Sequence, residues 1–349
     1  MKEKIKSFVE KTGLPRLIIG GFFILLCILA LPMNLSMSAL FSDTIVRFGM
    51  NGILVLAMVP GILCGIGLNF GLPIGIIAGI IGGLISIEMN LTGGTAFFVG
   101  CAISIVLATI FGYLYGILLN KVKGDEMMIG TYAGFSVVSL MCIGWLLLPF
   151  KSAEIKWPIG QGLRTTITLE SRFAKVLDSF LAFKIGGVVI PTGLILIFLF
   201  CCLLVWLFLR TKAGIMMTAG GNNPKFAKAS AINVDKTRII GTTISTILGA
   251  VGIMVYSQSY GFIQLYQAPM MMGFPAVAAV LIGGASTRNA KISHVIIGTF
   301  LFQGLLTVGL PVINSMFKEG QLSEIIRIIV SNGIIIYALT KAKGGGADA

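Results

Sequence analysis

Apolar runs of about 20 residues recur along the chain from Leu17 onward, and they decide what it can fold into. A hydrocarbon core of roughly 30 Å is crossed by about 20 helical residues. Inside that core every backbone N–H and C=O needs a partner within the protein, so such runs are helices. Only 11% of the 349 residues are charged and mean hydropathy is +0.98, whereas soluble domains carry roughly 25% charged residues. The chain therefore reads as an all-α polytopic membrane protein.

Ten transmembrane helices are expected, at residues 17–35, 49–68, 72–90, 95–119, 127–148, 188–209, 239–257, 269–286, 292–312 and 323–340. The second and third, joined at Asn69-Phe70-Gly71, are broken by Gly and Pro. The basic N-terminus MKEKIKSFVEKTGLPR also fits a signal peptide, but its apolar run reaches about Met33 and further spans follow, which favours an uncleaved first span.

The net charge of +13 follows from the positive-inside rule and does not call for nucleic acid. With the N-terminus in the cytoplasm, 17 of the 26 Lys and Arg lie inside, and ten spans bring the C-terminus inside too. Six of the other nine lie in the long extracytoplasmic loop 149–187. There RFAKVLDSFLAF puts Phe173, Val176, Leu177 and Phe180 on one face of a helix, which fits either docking of an external partner or lying flat on lipid.

Glycine is abundant, 45 residues, and small residues let helices approach closely in lipid. GLPIGIIAGIIGG (Gly71 to Gly83) is echoed by GFPAVAAVLIGG (Gly273 to Gly284), in spans that cross in opposite directions. The echo fits an inverted repeat, or chance likeness between glycine-rich spans.

Much chemistry has nothing to work with. His294 is the single histidine, and the six cysteines lie in apolar runs without metal-ligand spacing. A His-based triad has almost nothing to work with, and no Gly-Lys dipeptide exists for a phosphate loop. No catalytic residue, metal or cofactor is expected. Among the acidic residues Glu88 alone lies well inside an apolar context, as a structural anchor or a substrate-facing group. A proton or sodium relay finds little support.

Between the sixth and seventh spans lies GGNNPKFAKASAINVDKTR, Gly220 to Arg238. Asn223 is a good N-cap and Pro224 a good first helical residue. KFAKASAI then makes a short helix with Phe226, Ala229 and Ile232 on one face and Lys225 and Lys228 apart from it. Gly220-Gly221 and Asn233 are expected to permit turns on either side. A lone helix of two turns is unfavourable, so it needs a surface to pack on, its own spans or another protein.

This segment, from Arg210 to Met254, resembles the signature loop of permease subunits of ABC importers, in the branch for simple sugars, nucleosides and branched-chain amino acids. The resemblance rests on Gly220-Gly221-Asn222, the helix Ala227 to Ala231, Ile232-Asn233-Val234 and the glycines from Gly241 to Gly252, with AAVLIGGAST (Ala278 to Thr287) as a second match. The chain departs from the family in carrying Lys225, Phe226 and Lys228 where acidic and arginine residues are common, and in lacking an acid near Asn69 to Gly71.

The resemblance implies one transmembrane permease domain over residues 1–349, with the fold of cobalamin-type (type II) importers, their inverted repeat and a cytoplasmic coupling loop at 210–238. Asn223, Pro224, Lys225, Phe226, Lys228, Ala229 and Ile232 would form a coupling helix seated in a cytoplasmic ATPase that alone hydrolyses ATP. A second permease subunit, identical or related, and an extracytoplasmic substrate-binding protein complete the expected assembly in a bacterial cytoplasmic membrane. Glu88, Thr131, Tyr132, Ser136, Ser139 and Asn332 are the candidate substrate-path residues, for a monosaccharide or nucleoside. An ion-coupled secondary carrier without an ATPase is the alternative, and a membrane-embedded enzyme a third reading.

Overall fold

Helix ends fall where a side chain or a glycine can complete the backbone hydrogen bonding, and these ends set the architecture. The computed structural model describes residues 14–158 and 162–316, together with Ile328, Ile329, Asn332, Gly333, Ile336 and Thr340. Helix α1 (Leu14–Ala30) leads to α2 (Met37–Leu56), capped by Ser36, whose Oγ accepts from Ala39 N at 3.4 Å. Helix α3 (Met58–Leu63) continues α2 after a break at Ala57, where Pro60 has no N–H to offer the Leu56 carbonyl. Then come α4 (Leu72–Glu88), α5 (Gly93–Lys121) and α6 (Glu126–Leu147).

The long loop after α6 holds β1 (Thr166–Thr168), α7 (Val176–Ser179), β2 (Phe183–Ile185) and β3 (Val188–Ile190). Helices α8 (Thr192–Arg210), α9 (Lys212–Asn222), α10 (Pro224–Ala229) and α11 (Val234–Tyr260) follow. Helix α11 ends at Gly261, at φ 86, whose N–H reaches Ser257 O at 2.8 Å. The described chain closes with β4 (Phe262–Gln264), α12 (Gln267–Met271), α13 (Gly273–Ile282) and α14 (Ile292–Met316).

Six helices among the described residues are long and apolar enough to cross a membrane, and three shorter apolar ones, Arg16–Ala30, Leu72–Glu88 and Gln267–Ile282, lie among them. The tenth expected span, 323–340, falls outside the described residues but for a few positions. The second span, expected at 49–68, instead runs over Met37–Leu63. Asp43, Arg47 and Asn51 depress local hydropathy, but their spacing of four keeps all three on one helix face, and the helix absorbs them.

Helix α11 is the hub, packed against α5, α4 and α2. Glycines bring these axes together. A Cβ on Gly75 would lie 2.4 Å from Thr246 O, and one on Gly79 2.2 Å from Ile253 Cγ2. The two echoing segments form α4 and α13, which run in opposite directions. Glu88 at the end of α4 accepts from the loop backbone at Lys151 and Ser152, while the chain beyond α13 returns beside Gly67. Large apolar side chains that face outward, such as Phe98 and Ile110 on α5 and Leu199 and Phe200 on α8, make the lipid-facing belt.

The long loop does not carry the expected amphipathic helix. Only Val176–Ser179 is helical, because Lys175 and Leu181 both take left-handed backbone (φ 53). Phe173 is fully buried and Leu177 nearly so, so neither lies on lipid nor awaits a partner, while Phe180 is exposed. The loop is fastened to the helices instead. Strand β1 pairs antiparallel with β4, and Val189 N on the β2–β3 hairpin donates to Ser42 Oγ of α2 at 2.8 Å.

Candidate coupling loop and solute path

At the end of the molecule away from the long loop, α8 stops at Arg210, whose guanidinium stacks over the Trp206 ring at 4.0 Å. Thr211 then caps α9, its Oγ1 accepting from Gly214 N at 3.2 Å. Gly220 and Gly221, expected in a turn, lie inside α9. Close packing explains them. A Cβ on Gly221 would sit 2.1 Å from Leu63 O, so α9 touches the backbone at the end of α3.

Helix α10 begins as its sequence predicts. Asn223 Oδ1 accepts from Phe226 N at 3.0 Å, and Pro224 takes the first helical position, where no N–H is needed. The helix ends a turn sooner than KFAKASAI suggests. Ile232 N returns to Ala227 O at 2.9 Å, and Ala231 takes φ 58, which closes the helix with a left-handed residue. Asn233 then caps α11, accepting from Lys236 N at 3.0 Å. Ala227 is buried against the body, whereas Phe226 is 64% exposed, with Lys225, Lys228 and Ala229 also exposed and Ile232 half-buried.

The start of α11 is clamped to the turn between α5 and α6. Arg238 meets Glu126 at 2.5 Å, with both side chains largely buried. Lys123 pairs with Asp235, and Asn120 Nδ2 donates to Asp235 O at 2.8 Å. A cavity of ≈330 Å³ beside this clamp is lined by Cys64, Glu126, Pro224, Lys228 and Arg238. The clamp thus ties the start of α11, which follows α10 after four residues, to the facing ends of α5 and α6.

The candidate path residues do not form one cluster. Glu88 lies at the opposite end and accepts three backbone bonds, two from Lys151 N at 2.9 and 3.1 Å and one from Ser152 N at 3.0 Å. That is the geometry of a structural anchor. Thr131, Tyr132, Ser136 and Ser139 all lie on α6, little of which is buried. Tyr132, Ser136 and Ser139 point away from the protein, and Thr131 is half-buried. Thr131 and Ser139 return their hydroxyls to Met127 O at 2.9 Å and Phe135 O at 3.0 Å. The buried face of α6 is Gly130, Gly134 and Val138, and a Cβ on Gly130 would lie 2.6 Å from the Tyr115 hydroxyl. Asn332 is helical and exposed.

Two sets of polar residues in or between the spans escaped the hydropathy reading. Asn69, 2% exposed, bonds Ser245 and Tyr115 where the chain re-enters between α3 and α4. Its only advance signal is an Asn between two apolar runs. Asp43 and Arg47 lie on an exposed face of α2, where the sequence placed no span. Their signal was the spacing of four.

Helices long and apolar enough to cross a membrane, packed around a glycine-lined hub, make this a multi-pass membrane protein. The chain belongs to the family described as branched-chain amino acid transport system / permease component, whose model matches residues 17–339. It is 30% identical over 148 residues to the autoinducer 2 import system permease protein LsrD of Photorhabdus luminescens, covering 40% of this chain and 43% of that protein. It is 32% identical over 108 residues to the nucleoside ABC transporter permease protein NupC of Lactococcus lactis, covering 31% and 33%. It is 26% identical over 216 residues to the autoinducer 2 import system permease protein LsrC of an Enterobacter species, covering 59% and 58%. The chain thus spans from a third to somewhat over half of these relatives. No solved structure matches it.

Proposed function

We propose that this chain is the transmembrane subunit of an ATP-driven importer, with α10 as the coupling helix and a monosaccharide or nucleoside as cargo. The observation that carries the reading is Phe226, an exposed aromatic on a short helix capped by Asn223 and closed by left-handed Ala231, beside Lys225 and Lys228. A helix of six residues does not hold its shape alone, and this one keeps its largest apolar side chain for another surface. A cytoplasmic ATPase with an apolar cleft and an acidic rim fits that surface. The clamp of Arg238 on Glu126 passes its motion to α6, where Tyr132, Ser136 and Ser139 face a second permease subunit across the path. The positive-inside rule puts α10 in the cytoplasm and the 149–187 loop outside, towards a substrate-binding protein, in a bacterial cytoplasmic membrane. The cargo class follows the relatives, named for autoinducer 2 and for nucleosides.

The test is co-purification of the tagged chain from its native host in mild detergent, with ATPase activity assayed on the eluate. Wild type is expected to bring an ATPase and Phe226→Asp to lose it. Intact wild type without ATPase, still carrying solute in vesicles, would overturn the importer reading. That result would pass the case to an ion-coupled carrier acting without an ATPase.

A further inference from the structure

The end of the long loop keeps its large apolar side chains outside the helical body. Phe180, Leu181, Phe183 and Ile185 are between 47% and 63% exposed. Strands β2 and β3 pair Phe183 with Ile190, Lys184 with Val189 and Ile185 with Val188. Side chains alternate along a strand, so Phe183, Ile185, Val188 and Ile190 share one face of the hairpin, and Lys184 and Val189 the other. One face is thus apolar throughout. Left in water, such a face is unfavourable, and a contiguous apolar patch marks a surface that something covers.

Helix α8 fixes where the hairpin stands. Strand β3 runs through Pro191 straight into Thr192, the first residue of α8. Gly193 N, in that first turn, donates to Phe180 O at 3.0 Å, which holds the base of the hairpin on the helix. From Thr192 to Leu209 the helix carries no charged residue, and Arg210 ends it. Its 19 residues measure about 28 Å, close to the roughly 30 Å of a hydrocarbon core. Arg210, stacked on Trp206, marks one interface of that core, so Thr192 and the hairpin stand at the other. The outward side chains of α8, among them Leu196, Leu199, Phe200 and Leu203, are exposed as part of the lipid-facing belt. Phe180 and the apolar face of the hairpin continue that belt at headgroup level.

The backbone agrees with that depth. A two-stranded hairpin has open edges, whose N–H and C=O groups have no partner in hydrocarbon but find water among headgroups. Lys184, on the other face, keeps its ammonium in water. A soluble protein docking on the loop gains nothing from this match of depth, whereas a lipid surface requires it. We propose that the β2–β3 hairpin, with Phe180 and Leu181 at its base, is an interfacial anchor. Its Phe183 and Ile185 side chains lie in the lipid leaflet on the long-loop side, and Lys184 faces away. The anchor also holds α2. Val189 N on the hairpin donates to Ser42 Oγ, and the next residue, Asp43, lines a cavity of ≈600 Å³.

The experiment is tryptophan quenching in the full chain, reconstituted in phosphatidylethanolamine/phosphatidylglycerol nanodiscs. Phe183→Trp, Ile185→Trp and Lys184→Trp are introduced singly into a chain that carries Trp157→Phe and Trp206→Phe. The buried Trp145 remains, and the emission of that parent chain is subtracted. One set of discs holds phospholipid brominated near the carbonyl end of its acyl chains, and aqueous iodide is added to the other. Emission from Phe183→Trp and Ile185→Trp is expected to fall about twofold or more in brominated lipid and to resist iodide. Lys184→Trp is expected to respond to iodide and not to bromine. Two probes on the apolar face mean that misfolding of one variant, seen on size exclusion, leaves the other to decide. Iodide quenching without bromine quenching at 183 and 185 overturns the anchor and leaves the face to an external protein. Shielding from both quenchers overturns it as well, with a second copy of this chain as the cover. Equal bromine quenching at 183 and 184 overturns the assignment of the apolar face to lipid.

Discussion

The Asn69 amide donates to the Ser245 hydroxyl at 2.7 Å across 176 residues of sequence. Ser245 passes its own proton to Ala57 O at 2.6 Å, at the break between α2 and α3. Tyr115 and the Gly71 N–H both donate to Asn69 Oδ1, at 3.2 and 3.0 Å. One side chain thus joins α3, the re-entrant turn, α5 and α11. Its replacement leaves several buried polar groups unpaired, each costing about 1–3 kcal/mol. Asn69→Leu should lower the thermal unfolding midpoint in detergent well below that of Ser139→Ala on exposed α6. Equal midpoints would show that the network is not structural.

Arg238 and Glu126 make a largely buried ion pair that ties α11 to the start of α6. Removal of one partner strands the other charge, at a cost of about 3–5 kcal/mol. Glu126→Gln and Arg238→Met are each expected to reduce folded yield and transport. The double variant Glu126→Leu/Arg238→Met should recover folded yield, because neither charge is then left unpaired. It should not recover transport, because the clamp is still missing. Parallel measurement of monodisperse yield and uptake separates the two roles.

The contact of α4 with α11 leaves no room for a side chain at Gly79, whose Cβ would meet Ile253 Cγ2 at 2.2 Å and Ala250 O at 2.5 Å. Overpacking of this kind costs roughly 1–3 kcal/mol where atoms can shift, and here one neighbour is backbone. Gly79→Val should therefore reduce the fraction folded far more than Gly94→Val, whose nearest atom lies at 4.0 Å. Fluorescence-detected size exclusion reads the difference directly.

Lys225 and Lys228 are exposed on α10 and make no ion pair among the described residues. If an acidic rim receives them, Lys225→Glu/Lys228→Glu should weaken ATPase co-purification about tenfold or more, and the wild-type complex should loosen as salt is raised. Stability should stay within about 0.5 kcal/mol of wild type, as for surface changes in general. Unchanged co-purification at every salt concentration would remove the charged part of the contact.

The sequence by itself determined the class of structure and the local devices. Apolar runs near 20 residues admit only spanning helices, and the caps at Asn223 and Asn233 act between neighbours in the chain, so both were legible. Tertiary structure decided what hydropathy averages away. Asp43 and Arg47 look like loop residues in a sliding window, yet a helix face turned to a cavity tolerates them. Gly220-Gly221 looks like a turn, and its real constraint is the Leu63 carbonyl on another helix. The RFAKVLDSFLAF pattern predicts a surface helix, but burial of Phe173 in the helical body outweighed a periodicity spanning barely two turns. Local rules read hydrogen bonds between neighbours in sequence, whereas the polar interior depends on pairs such as Asn69 with Ser245 that meet only when the helices pack.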